Sequence, residues 1–367
     1  MKLLEVIRSM NQGGAQQLLV NRLTATSSSS HDTILVNTLP VEDALEAAIT
    51  APVGVQIVHP SSSSILRAHW QIMRLAKREK PDIIVVHSPS PAILLKLSRQ
   101  VGLLKVPVVE VVHNTSYNRK IVEWASALSN PGADLTLVVS SGATAGNVLR
   151  GARQVAVQHQ GVPVSKMRAW MRDNSAWILE QRARWASQDP DLIVVYCGRL
   201  VPEKRPLDVV KAVEQIARTT GVRLIMIGDG PEHPRVVSYV EDNRLSDVVT
   251  VMGRQPDGWR YVAAADVFCL PSEHEGLPVA VMEALALGKP VVGTRIPGLA
   301  DVLTHGSNSL LVDVGDVGEL ARSFRSLAAT PRLRERLARG AEATSAYWDS
   351  DRSDSAYYDA LSAVLSS

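Results

Sequence analysis

Residues 266–294 read DVFCLPSEHEGLPVAVMEALALGKPVVGT, and this order of residue types lays down a strand, a loop, a helix and a second strand. The apolar run ends at Leu270 and gives way to the polar loop EHEG, residues 273–276. Pro278 suits a first helical turn, Gly288 suits the position past the helix end, and Pro290 blocks continuation before PVVGT. Both strands are apolar without alternation, as in a parallel sheet covered on both faces. Glu275 and Gly276 therefore fall on a loop at the carboxyl end of a strand, where open α/β sheets bind ligands. The amides of Leu277 and Val279 are donors at a helix start, beside the positive end of its dipole. Glu283 lies about a turn and a half into that helix, placed to meet neutral hydroxyls.

The same alternation extends in both directions. Upstream of residue 166 the short β-branched runs are LLEVI, DTILVNT, GVQIVHP, PDIIVVHS, VPVVEVVHN and ADLTLVVS, with helical patterns such as ILRAHWQIMRLAKREK and AILLKLSRQVG between some of them. After residue 190 come DLIVVYCGR, VRLIMIGDG, DVVTVMGR, DVFCLPS, PVVGT and SLLVDV. The expected architecture is two α/β units in tandem: a first domain over 1–165, a join over 166–190, a second domain over 191–345 and a C-terminal helix over 346–367. Trp170, Trp177 and Trp185 share one helical face in the join and are expected to pack against a domain.

A chain of 367 residues suits two domains of ordinary size, and 46% hydrophobic residues are enough to pack both. The two cysteines, Cys197 and Cys269, lie inside apolar strands, outside any metal or disulfide spacing. That fits a reducing compartment. MKLLEVIRSM lacks the apolar core of a signal peptide, and no run nears the roughly 18 apolar residues of a membrane span. The expectation is a cytoplasmic protein. The net charge of +2 hides an asymmetry: residues 1–165 carry 15 Lys+Arg against 10 Asp+Glu, and residues 61–107 carry 8 against 2. Such a stretch suits either a solvated surface or peripheral contact with an anionic membrane at its inner face. Nucleic acid is not expected, because the stretch holds a single Trp and no binding motif.

Two further clusters bear on chemistry. VVYCGRLVPEKRPLDVVKAV, residues 194–213, sets Arg199 just after a strand and Lys204 at the lip of the next helix, positions suited to clamping an anion. Near the N-terminus, Gly13 and Gly14 in NQGGAQ would let the backbone approach a ligand closely. Singly, each of these features is ordinary surface chemistry.

Together they form a recognisable order. EGLPVAVME, with seven residues between its glutamates, followed by ALALGKPVV and preceded by GRLVPEK and GGAQ, resembles the retaining glycosyltransferases of family 4. IGDGPE and HQGVPVSKM stand where that family has comparable segments, and the resemblance covers nearly the whole chain, most densely over 191–312. It implies the GT-B fold, two Rossmann-like domains facing each other across a cleft, and a last helix crossing back to the first domain. It further implies that Glu275 holds donor-sugar hydroxyls and Glu283 the ribose. Arg199 and Lys204 would hold the diphosphate, helped by amides near the stretch Gly276, Leu277, Pro278 and Val279. The backbone or ring of His113 would lie beside the donor sugar, Gly14 would approach the phosphates or the acceptor from the opposite domain, and Gly228, Gly230, Gly253 and Arg254 would border the base. Gln160, Pro163, Asp301 and Ser309 depart from the family pattern.

The implied reaction moves a sugar from a UDP- or GDP-linked donor to a glycan, lipid-linked or small-molecule hydroxyl, with retained configuration and no cofactor or metal. Asp189-Pro-Asp191 imitates a metal motif but precedes a strand, at the wrong end. Other readings remain open at this point. A glycoside hydrolase would need its carboxylates about 5 Å apart, whereas Glu275 and Glu283 stand about 12 Å apart along a helix axis. An NAD-dependent oxidoreductase would need a third glycine where His233 stands in IGDGPEH. A non-catalytic nucleotide-sugar-binding protein would keep the same binding residues.

Overall fold

The computed structural model describes residues 1–10, 14–24, 31–39, 49, 55–60, 64–113, 120–145, 147–186, 190–276 and 278–366. They divide into two compact units, Met1–Gly161 with Ser350–Ser367, and Val162–Asp349.

The first unit is built on a seven-stranded sheet in the order β3-β2-β1-β4-β5-β6-β7. Its strands are β1 (Lys2–Ile7), β2 (Asp32–Asn37), β3 (Gln56–Val58), β4 (Ile83–Val86), β5 (Val108–Val112), β6 (Leu135–Val138) and β7 (Val155–Val157). All pairings are parallel, with Leu4 beside Ile84 and Val6 beside Val86 in the β1–β4 ladder. Residues alternate between two apolar layers. Leu4, Val6, Ile84 and Val86 meet Ile72, Leu75 and Leu95 on one side, while Ile7 and Leu35 meet Leu19 and Leu23 on the other. Each such buried aliphatic side chain contributes roughly 1.5–3 kcal/mol, which explains the unbroken apolar strands. Six of the seven strands coincide with the runs read from sequence. The seventh, β7, is three residues long at the sheet edge and carries no distinctive pattern.

The second unit has a six-stranded parallel sheet in the order β10-β9-β8-β11-β12-β13. It comprises β8 (Leu192–Cys197), β9 (Val222–Ile227), β10 (Val249–Val251), β11 (Val267–Leu270), β12 (Val291–Thr294) and β13 (Ser309–Val312). The segment expected as a join forms two helices, Val164–Asp173 and Ser175–Trp185, within this unit. Arg168 ties the first to the Ala286 carbonyl (3.0 Å) and the Ser345 hydroxyl (2.9 Å). Trp170 and Trp177 meet edge to face at 5.4 Å, and Trp185 packs by Tyr261.

Each sheet reverses its strand order once at its middle, between β1 and β4 and between β8 and β11. Loops at such a reversal part to either side and leave a crevice at the carboxyl ends of the strands. Arg199, Lys204 and Glu275 follow the two strands at the second of these reversals.

Candidate active site

At the β8/β11 reversal, two loops meet. Tyr196, the largest fully buried side chain of β8, donates its hydroxyl to the Arg199 carbonyl (2.9 Å) and so fixes the turn after the strand. The Arg199 side chain is exposed and makes no hydrogen bond or ion pair among the described residues. Lys204 ends a short 3-10 turn, Pro202–Lys204, and its ammonium pairs with Glu275 Oε1. Ser272 donates to the same carboxylate oxygen at 2.5 Å, and Oε2 has no partner among the described residues. The Glu275 side chain is 5% exposed. Buried carboxylates persist only when paired and hydrogen-bonded, and Lys204 with Ser272 supplies both. The Glu273 amide donates to the Glu203 carbonyl (2.8 Å), tying the two loops by backbone as well.

Backbone contacts set the height of the Glu275 loop. Gly298 lies so close beneath it that a Cβ there would collide with the Glu275 carbonyl. Thr294 donates to the Ser272 carbonyl at 2.5 Å. Pro278 precedes the helix Val279–Ala286 with no side-chain cap, so amides of its first turn remain open. Leu277 lies outside the described residues.

Glu283 is half-buried in that helix, and its carboxyl makes no hydrogen bond or ion pair among the described residues. Burial first, and the Asp257 carboxylate second, push its carboxyl up to about 8. Its charge is felt at the end of β8, where burial and then Glu283 push the Cys197 thiol up to about 12. Glu275 and Glu283 thus have opposite surroundings, one clamped by a cation and a hydroxyl, the other unpaired. Because Glu283 gains its proton more readily in the folded state, the resulting stability is full below the ordinary value of 4.5 and is lost as pH rises through about 8. Glu283→Gln is neutral throughout. In thermal unfolding, wild type should therefore lose roughly 3 °C or more relative to this variant between about pH 5 and about pH 9. A constant difference across that range would contradict the assignment.

The glycines of the neighbouring loops act through packing. Gly228 has φ +139°, and a Cβ on it would strike the Gly198 carbonyl; one on Gly230 would strike that of Leu200. The β9 loop is thereby pressed against the β8 loop that carries Arg199. The Gly228 amide donates to the Gly253 carbonyl (2.8 Å), and exposed Arg254 follows.

In the first unit, Gly14 opens the helix Gly14–Leu23, while Gly13 lies outside the described residues. His113 directly follows β5. Its Nε2 lies 3.4 Å from His87 Nδ1, and burial, then His87 and Arg22, push its ring down to about 3, so it is neutral. Among the described residues no cluster of three His, Cys, Asp or Glu is placed to hold a metal, and no helix is long and apolar enough to cross a membrane.

Sequence reasoning missed Ser272, Tyr196, Thr294 and Gly298. Only Ser272 had a local signal, three residues before Glu275. Gly298 is apparent only once the β12 loop is folded under the β11 loop.

Two family models match in succession, Glycosyltransferase Family 4 over residues 12–166 and Glycosyl transferases group 1 over residues 178–344. The chain belongs to the family 4 glycosyltransferases. Its sheets and interleaved helices match the GT-B structure of Anabaena Alr3699/HepE, solved in complex with UDP, with a TM-score of 0.83 at 19% identity over 99% of this chain and 100% of that one. Among curated glycosyltransferase relatives, the lipopolysaccharide core biosynthesis glycosyltransferase LpsD of Rhizobium meliloti is 36% identical over 41% of this chain and 43% of its own length. The chain therefore spans less than half of LpsD. The N-acetyl-alpha-D-glucosaminyl L-malate synthase of Bacillus anthracis is 24% identical over 79% of this chain and 78% of its own.

Proposed function

We propose that the protein transfers a sugar from a nucleotide diphosphate sugar, UDP- or GDP-linked, to an acceptor hydroxyl with retained anomeric configuration. The observation that carries this reading is the group formed by Lys204, Glu275 and Ser272 at the β8/β11 reversal, with the unpaired Arg199 in the same loop. Arg199 and Lys204 bind the diphosphate and neutralise charge as it develops there. The Val279 amide and the helix dipole add to this. Glu275 turns its open oxygen to sugar hydroxyls, and Glu283 accepts from the ribose. Gly253 and Arg254 border the base.

The bond from the anomeric carbon to the diphosphate breaks with its electron pair going to the leaving group. The acceptor oxygen then bonds to the same face of an oxocarbenium-like centre, and its proton passes to the departing phosphate oxygen. Lys204 and Ser272 hold the Oε1 atom of Glu275, and its open Oε2 is assigned here to sugar hydroxyls. The non-catalytic alternative predicts binding without turnover. Incubation with UDP-glucose and GDP-mannose, each with glycan and glycolipid acceptors, should release the nucleoside diphosphate and give product with the donor's anomeric configuration by NMR. Inverted product, or binding without release, would overturn the reading.

The relatives' role in lipopolysaccharide core biosynthesis favours a glycan or glycolipid acceptor, and the surface of the first unit suits a peripheral anionic membrane. Helix Lys120–Ser129 exposes Ile121, Trp124 and Leu128 on one face, and Trp124 is 77% exposed. It packs beside helix Pro89–Gln100, whose C-terminal end exposes Val101 and Leu103. Exposed Arg67, Arg74, Lys77, Lys105 and Lys120 supply charge of the right sign. Trp124→Ser should reduce flotation with phosphatidylglycerol vesicles, and salt should reduce it further. Flotation unchanged by both would remove the membrane reading.

A further inference from the structure

Glu5 lies in the middle of β1, 1% exposed, flanked in the strand by the aliphatic residues Leu3, Leu4, Val6 and Ile7. A carboxylate there is costly unless its oxygens are occupied, and two buried partners occupy them. Tyr357, on the C-terminal helix Ser350–Ser366, donates its hydroxyl to Oε1 at 2.9 Å. His87, directly after β4, meets Oε2 through Nε2 at 2.5 Å. Burial alone would raise the Glu5 carboxyl, but His87, Arg22 and the Tyr357 hydroxyl outweigh it and hold it below its ordinary value. A carboxylate only accepts hydrogen bonds, so His87 Nε2 carries the hydrogen that points at Glu5.

The other nitrogen of His87 faces His113 Nε2 at 3.4 Å, and the two rings stack with centroids 5.7 Å apart. With Nε2 turned to His87, Nδ1 is the ring nitrogen of His113 without a partner among the described residues. The four residues come from β1, the ends of β4 and β5, and the last helix, and they converge at the β1/β4 reversal of the first sheet. Arg22, its guanidinium 3.7 Å from the centre of the Tyr357 ring and its Nε 3.3 Å from Asp354, holds Tyr357 in place.

We propose that Glu5 and His87 are positioning residues: held by Tyr357, they fix the orientation and tautomer of the His113 ring, so that Nδ1 presents a single hydrogen-bonding character to a sugar hydroxyl. The role of the His113 ring toward the sugar rests on the glycosyltransferase reading above. The fixing of that ring does not. A purely structural polar cluster would stabilise the sheet but leave His113 indifferent to changes at Glu5.

Long-range proton–nitrogen NMR of histidine-labelled protein without ligand tests the fixing directly. Wild type should show one tautomer for His113, and Glu5→Gln should convert it to an averaged pair. Tyr357→Phe, which keeps the ring on Arg22 and removes only the hydroxyl, should shift it part-way and serves if Glu5→Gln does not fold. A His113 signature unchanged in the folded variants overturns the proposal. In turnover of UDP-glucose or GDP-mannose, Glu5→Gln should lower kcat by about tenfold in the His113 background and leave it unchanged in His113→Ala. Additive losses overturn coupling through His113. A coupled tautomer without turnover of any nucleotide sugar supports the positioning chain and overturns the transferase reading instead.

Discussion

Lys204→Ala is expected to lower kcat/KM for sugar transfer by about 10²–10³-fold, the usual loss when one preorganised group facing developing charge is removed. The same substitution should lower thermal stability, because Glu275 would then keep only the Ser272 hydroxyl as a partner for a carboxylate that is 5% exposed. Arg199→Ala separates these two effects. Its guanidinium is exposed and unpaired among the described residues, so transfer should fall by a similar factor while the unfolding temperature stays within about 2 °C of wild type. Steady-state kinetics and thermal unfolding of both variants check the contrast. Full activity in either variant, or equal destabilisation by both, would contradict the assignment of the diphosphate clamp.

Gly298→Ala is expected to cost about 100-fold in transfer although residue 298 offers no side chain to any ligand. The added methyl would need the space of the Glu275 carbonyl, and backbone cannot swing aside as a flexible side chain can. The Glu275 loop must rise, which pulls its carboxylate from Lys204 and Ser272; misplacement of a reacting group by about 1 Å costs around 100-fold. The effect should fall on kcat more than on nucleotide affinity, since Arg199 and Glu283 lie on other segments. A Gly298→Ala protein with wild-type kcat would show that the Glu275 loop does not depend on this close approach.

What could be read from sequence followed from physical scale. Strands buried on both faces are continuous apolar runs, so LIVVYC and VRLIMI were legible, and the capping signals around Val279–Ala286 were as well. The edge strand β7 was not, because three partly exposed residues carry no burial pattern. At the site, Glu275, Glu283, Arg199 and Lys204 stood out by residue type and by position after strands. Their pairing did not. Lys204 and Glu275 are 71 positions apart, Glu5 and His87 82, and Glu5 and Tyr357 352. Only sheet topology brings such residues together. Glu5 in particular was hidden inside LLEVI, where one charge in an apolar strand has no local sign that its partners lie on another strand and on the last helix.

In the proposed function, the second unit grips a nucleoside diphosphate through Arg199, Lys204 and the start of the helix Val279–Ala286, and holds the ribose through Glu283. Thermal unfolding with UDP, GDP, UMP and GMP tests it most directly, since only a ligand bound to the native state raises stability. Either UDP or GDP should raise the unfolding temperature of wild type well above the effect of its monophosphate. That advantage should vanish in Arg199→Ala and shrink in Glu283→Ala. No response to either diphosphate, or an equal response in wild type and Arg199→Ala, would contradict it.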